Sequence, residues 1–90
     1  MNYTLVIFPV SRASDWEWIA GTASPELSPT GDEPATHKWF SIIPTSEEQA
    51  RIDSTLTADD TKLSVDTNTQ SPQKVIEDAT SLKPITFGDI

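Results

Sequence analysis

Six residues near the amino terminus, Tyr3-Thr4-Leu5-Val6-Ile7-Phe8, form an almost unbroken run of aliphatic, β-branched and aromatic side chains that stops at Pro9. A strand with one wet face alternates apolar and polar positions. A run without that alternation reads as a strand buried on both faces, the central strand of a sheet. The stretch from Leu5 to Val10 is far too short to span a bilayer, and Met1-Asn2-Tyr3-Thr4 carries no basic n-region of a secretory signal. A cytoplasmic protein that touches no membrane is the expectation.

The rest of the chain is poor in material for a core. Leu, Ile, Val and Phe make up only 20 of the 90 residues, just above the roughly 20% level below which charged chains tend to stay disordered. The tryptophans Trp16, Trp18 and Trp39 offset that shortage, because each can bury on the order of 150–250 Å². Ninety residues fit one small domain, spanning 1–90.

Charge and cysteine usage exclude several classes. There is no cysteine, hence no disulfide framework, no thiolate nucleophile and no cysteine-held metal. Six Lys and Arg against 14 Asp and Glu give a net charge of -8, which argues against direct binding to nucleic acid or an anionic membrane. A basic partner protein fits better.

Beyond Pro9, the stretch Asp15 to Thr22 admits two readings. As a strand it places Trp16, Trp18 and Ala20 on one face; as a helix capped by Ser14 it groups Trp16, Ile19 and Ala20 and stops at Gly21. The strand is preferred, since bulky aromatics suit a pleated surface. Ala23 to Thr36 carries Pro25, Pro29 and Pro34 among Ser, Thr, Gly and Asp, and reads as a long mobile loop without regular structure. His37 to Ile43 is a second strand, closed by Pro44. Thr45-Ser46-Glu47-Glu48 matches a capping box, with Ile43 upstream as a staple residue, and starts a surface helix to about Thr55 with Gln49, Ile52 and Leu56 on its thin apolar face. Lys62 to Asp66 alternates like an edge strand. Ser71-Pro72 opens a second helix whose stripe is Val75, Ile76, Ala79 and Leu82. Pro84 ends that helix, and Ile85 to Gly88 form a last short strand or a loose C-terminal tail.

This order predicts an α+β fold: a small, mostly antiparallel sheet of three to five strands with two helices packed on one face.

Catalytic and cofactor chemistry finds no support. His37 is the only histidine and lacks a nucleophile or orienting carboxylate in any known setting. Asp66, Asn68, Gln70 and Glu77 fall at positions 1, 3, 5 and 12 of a calcium loop, but Ser71 stands where the turn needs glycine and Pro72 and Lys74 occupy ligand positions. Gly21, Gly31 and Gly88 are isolated, so no phosphate-cradling loop exists. The expectation is a non-enzyme without cofactor or metal.

What remains is a binding surface. Asp15-Trp16-Glu17-Trp18 sets two large aromatics among acids, and on a strand the two rings form a patch of the kind that marks interfaces, although a chain this short of apolar residues also needs tryptophan in its core. Asp15, Trp16, Glu17 and Trp18, together with Asp32 and Glu33 of the loop, are the candidate partner-binding residues. The sequence thus reads as a small acidic interaction protein, an accessory or inhibitor of the type found in phages and other mobile elements. The alternative is a nucleic-acid mimic that blocks a DNA- or RNA-binding protein. Its acids come in separated pairs, however, whereas duplex DNA places one charge per ~1.7 Å.

Overall fold

A computed structural model of the chain describes residues 2–20 and 25–85. Strand β1 (Asn2–Pro9) passes through a 3₁₀ turn at Val10–Arg12 into helix α1 (Ala13–Ala20). Then follow β2 (Glu26–Ser28), β3 (His37–Ile42), α2 (Ser46–Thr55), β4 (Thr61–Asp66), α3 (Pro72–Ala79) and β5 (Lys83–Pro84). All strand pairs are antiparallel, in the order β4-β1-β3-β2-β5.

Connectivity follows from that order. β1 and β2 run the same way with β3 between them, and β3 and β4 run the same way with β1 between them. Each such pair needs a crossover, and the helices α1 and α2 supply it. Two interlocked split β-α-β units of this kind are the ferredoxin-like motif, to which α3 and β5 are appended at the β2 edge.

β1 is interior, as its apolar run predicts. Leu5, Val6, Ile7 and Phe8 are all buried, with neighbours β4 and β3 in register at Leu5↔Leu63 and Leu5↔Ser41. Its alternating side chains feed two separate cores. Val6 and Phe8 join Phe40, Trp16 and Ile52 under α1 and α2; Leu5 and Ile7 join Leu27, Trp39, Val65 and Ile76 under α3. Two helices do share one face, but they are α1 and α2, and α3 covers the other.

Residues 15–20 form a helix, not the expected strand. β propensity of the tryptophans yields here to topology, because the β1–β2 crossover requires an element that lies across the sheet. The helix starts at Ala13, straight from the 3₁₀ turn, so Ser14 is no cap. Nor is the stretch after Ala23 without regular structure: Pro25 and Pro29 flank β2 instead of interrupting it, and Leu27 and Ser28 are fully buried. The turn after it depends on Gly31, whose φ of 82° is one that side-chain-bearing residues avoid, and whose N–H donates to Ser28 Oγ at 2.7 Å. Residues 21–24 and 86–90 lie outside the described residues, and with them all but Ile85 of the expected strand or tail at Ile85 to Gly88.

Local signals locate the other elements. Thr45 caps α2 through the reciprocal capping box, Glu48 N–H donating to Thr45 Oγ1 at 3.2 Å and Thr45 N–H to Glu48 Oε1 at 2.9 Å. Ile43, the expected staple, is 52% exposed and takes no part. Ser71 caps α3, with Pro72 in its first turn. That helix ends at Ala79, earlier than expected, where Thr80 Oγ1 donates back to the Ile76 carbonyl at 2.6 Å; Leu82 packs on the core from beyond the helix. Among the described residues the last strand is Lys83–Pro84, where a proline is tolerated because β5 lies at the sheet's edge.

Candidate interaction surface

Arg12, at the end of the 3₁₀ turn, organises one end of the α1–α2 face. Its Nε donates to Asp60 Oδ1 at 3.0 Å, its Nη2 to the Thr55 carbonyl at 2.8 Å and its Nη1 to Asp15 Oδ2 at 3.0 Å. Asp60 has a fully buried side chain and also accepts from Thr57 N–H at 3.0 Å and Thr57 Oγ1 at 3.2 Å. A single guanidinium thus ties the start of α1, the end of α2 and the loop into β4. The hydrogen bond to Asp60 comes first among the causes that hold the Arg12 pKa above its ordinary value, with Asp60, Asp15 and Asp59 adding charge attraction. Arg12 is a fixed cation.

Beside this network lies a shallow, open cleft of about 290 Å³, lined by Arg12, Asp15, Trp18, Arg51, Thr55 and Thr57. Its wall is an aromatic stack that begins in the core. Trp16 sits 6.0 Å from Phe8 and 5.6 Å from Phe40, ring centre to ring centre, and Trp18 stacks on Trp16 at 6.4 Å. On the outer side the Arg51 guanidinium lies 4.3 Å over the Trp18 ring. A cation at that distance over the ring is attracted by the negative face of the indole. Arg51 and Arg12 are the only arginines of the chain, and both reach this cleft.

The candidate residues from the sequence separate accordingly. Asp15 and Trp18 line the cleft, Asp15 exposed and Trp18 half-buried, and Glu17 is exposed on the same helix. Trp16 is fully buried, so its ring is a core element and offers no contact surface. The helix is the physical reason: adjacent positions on it point roughly 100° apart, turning Trp16 to the sheet while Asp15 and Glu17 face water. Asp32 and Glu33 are exposed in the turn beside Gly31, which approaches Pro84 and Lys83 of β5, and they contribute nothing to the cleft. Arg12, Arg51, Thr55 and Thr57 were missed. Only the spacing of Arg12 and Asp15 is a local signal; Asp60 is 48 residues from Arg12 and no pattern announces it.

Elsewhere on this face Lys62 Nζ pairs with Asp53 Oδ1 at 3.0 Å, joining β4 to α2. The hydrogen bond from Lys62 holds the Asp53 carboxyl below its ordinary pKa. Among the described residues no group of three or more His, Asp or Glu is placed to hold a metal ion, and no helix is long and apolar enough to cross a membrane.

No protein-family model matches this chain, and neither the curated proteins nor the solved structures yield a match. The ferredoxin-like connectivity speaks for architecture alone, since one such scaffold carries many unrelated functions.

Proposed function

We propose that this is a small, non-enzymatic interaction protein that contacts another protein through the α1–α2 surface centred on Arg51 and Trp18. The observation that carries the reading is the Arg51 guanidinium stacked 4.3 Å over Trp18 at the mouth of the cleft. Tryptophan and arginine dominate the residues whose truncation costs most at protein interfaces, and here they are held together on a rigid aromatic stack. Little ordering remains to be done on binding, which favours affinity. Among the described residues Arg51 makes no salt bridge, so its edge donors are open to a partner. Exposed Glu17 on α1, Glu47 on α2 and Asp59 in the following loop lie on the same side of the sheet. They suit a partner whose rim is basic, acting as an accessory or inhibitor protein acts, by occupying a surface.

Mimicry of nucleic acid draws less support from the charge distribution. Asp15 and Asp60 pair with Arg12, Asp53 with Lys62 and Asp78 with Lys74, and Glu77 and Asp78 sit on α3 across the sheet from α1 and α2. The experiment is affinity capture from the native host with the wild-type chain and with Arg51→Ala. This reading expects a protein retained by the first and lost by the second, with the variant still folded and its unfolding midpoint only a few degrees lower, and with little change between roughly 0.1 and 0.3 M salt. Retention by both variants together with release by duplex DNA would favour mimicry instead.

A further inference from the structure

Among the described residues the sheet has one long unpaired edge, the outer side of β4. Which backbone groups it presents follows from two hydrogen bonds elsewhere. Trp39 N–H donates to the Pro25 carbonyl at 3.2 Å, toward β2, so Ile7 opposite it faces β4 and Thr61 faces back toward Ile7. Alternation then turns Lys62, Ser64 and Asp66 outward. In agreement, Asp66 N–H bonds not to β1 but to Gln70 Oε1 at 3.1 Å. The Asp66 carbonyl accepts from Thr69 and Gln70 N–H at 3.0 and 2.8 Å, closing that end of the edge. Lys62 and Ser64 are left with both their N–H and C=O groups pointing out.

An open pair of residues spaced by two is self-complementary. We infer that a second copy of this chain pairs with β4 edge to edge, antiparallel about a two-fold axis at Leu63. In that register each Lys62 exchanges backbone hydrogen bonds with Ser64 of the other copy, and every open group of the edge is used. The two Leu63 side chains stand directly opposite each other in the closely spaced, non-hydrogen-bonded position. Leu63 packs on the α3-side core yet is only partly buried by its own chain, so the contact extends that core across the axis. An axis at Ser64 sets Lys62 against the closed Asp66, an axis at Lys62 sets Ser64 against Asp60, whose N–H is taken by the Thr57 carbonyl at 3.1 Å, and a one-residue slip flips the strand's faces.

Lysine on an edge strand commonly blocks such pairing, but the Lys62 ammonium is paired with Asp53 of α2 on its own subunit at 3.0 Å. The contact is smaller than the ~1,200 Å² of stable interfaces, so association falls roughly in the 10 µM to 1 mM range. Both copies carry a charge of -8. Screening their repulsion should therefore strengthen the dimer as salt rises.

Sedimentation equilibrium from about 10 µM to 1 mM tests the inference. The mean mass of the wild-type chain should rise from 9.9 kDa toward twice that value, more steeply at high salt. Ser64→Pro removes an outward N–H that β1 does not use, and should stay monomeric. A second readout does not depend on that variant folding normally. The chain has no cysteine, so Leu63→Cys places one thiol at the axis, where oxidation should give a disulfide-linked dimer; Thr61→Cys on the same face should not cross-link. A mass of 9.9 kDa at every concentration would overturn the inference. So would equal cross-linking through positions 61 and 63.

Discussion

Replacing Trp16 by alanine separates a core role from a surface role for the tryptophan pair. The side chain is fully buried and touches Phe8, Phe40 and Trp18, with centroid distances of 6.0, 5.6 and 6.4 Å. Removing it deletes buried aromatic area and leaves a cavity that helix α1 cannot close without leaving the sheet, at a cost of about 3–5 kcal/mol. A 90-residue domain holds about 5–13 kcal/mol in all, so one substitution consumes roughly a quarter of the stability at the least. At ~4–8 °C per kcal/mol the midpoint of thermal unfolding should fall by at least ~12 °C. Trp16→Phe should behave differently. The Trp16 indole N–H is buried and has no hydrogen-bond acceptor among the described residues, so phenylalanine forfeits packing volume but no polar contact. Its cost is about 1–2 kcal/mol. Urea unfolding followed by far-ultraviolet circular dichroism measures both, with an unchanged slope securing the comparison. An alanine variant within about 1 kcal/mol of wild type would place Trp16 outside the core and refute the packing argument.

Other substitutions probe the remaining joints. Ile76→Ala, at a fully buried position under α3, should cost about 2–4 kcal/mol, and Leu82→Ala, partly exposed beyond the helix, about 1 kcal/mol; equal losses would show that α3 does not anchor that core. Thr45→Ala removes the oxygen that accepts from Glu48 N–H at 3.2 Å and should cost about 1 kcal/mol by urea unfolding, with no loss if the cap is idle. Asp53 has a folded-state pKa below its unfolded value, so its pairing with Lys62 contributes above the unfolded carboxyl pKa and is lost as pH falls through the folded one. The stability gap between wild type and Asp53→Asn should therefore be present at neutral pH and close on acidification, and a gap that widens in acid would contradict the sign.

The sequence revealed elements whose cause is local and concealed those whose cause is distant. β1 was legible from four consecutive apolar residues, α2 from Thr45 and Glu48, and α3 from Ser71 and Pro72, because in each case the determining groups are neighbours along the chain. The helix at Ala13–Ala20 was not, since tryptophan favours strands and only the crossover from β1 to β2 decides otherwise. β2 was hidden by prolines that delimit it; what makes Leu27 a strand residue is its pairing with His37 and Pro84, ten and 57 positions away. The binding surface was half legible. Asp15 and Trp18 stand out by type, whereas Arg51 reaches Trp18 from another helix across 33 positions of chain.

That separation in sequence also ties binding to stability. Trp18 serves the fold and the surface at once, stacked on the buried Trp16 at 6.4 Å and carrying the exposed Arg51 at 4.3 Å from its ring centre. A Trp18 variant would consequently lose affinity and stability together, and the loss of binding would carry no information about contact. Arg51 is different, because the ring beneath it keeps its stacking partner when the guanidinium is removed. An exposed cation over an aromatic ring contributes about 0.5–1 kcal/mol to folding, while an arginine at the centre of an interface is worth about 2 kcal/mol or more to binding. Arg51→Ala should thus weaken a complex at least tenfold while moving the unfolding midpoint by only a few degrees, roughly 4–8 °C per kcal/mol. Lys at the same position discriminates further: it restores the charge but not the planar stack or the paired donors, and should recover little of the affinity. Full recovery by Arg51→Lys would mean that the partner reads charge alone, and that the Trp18 ring serves only the fold.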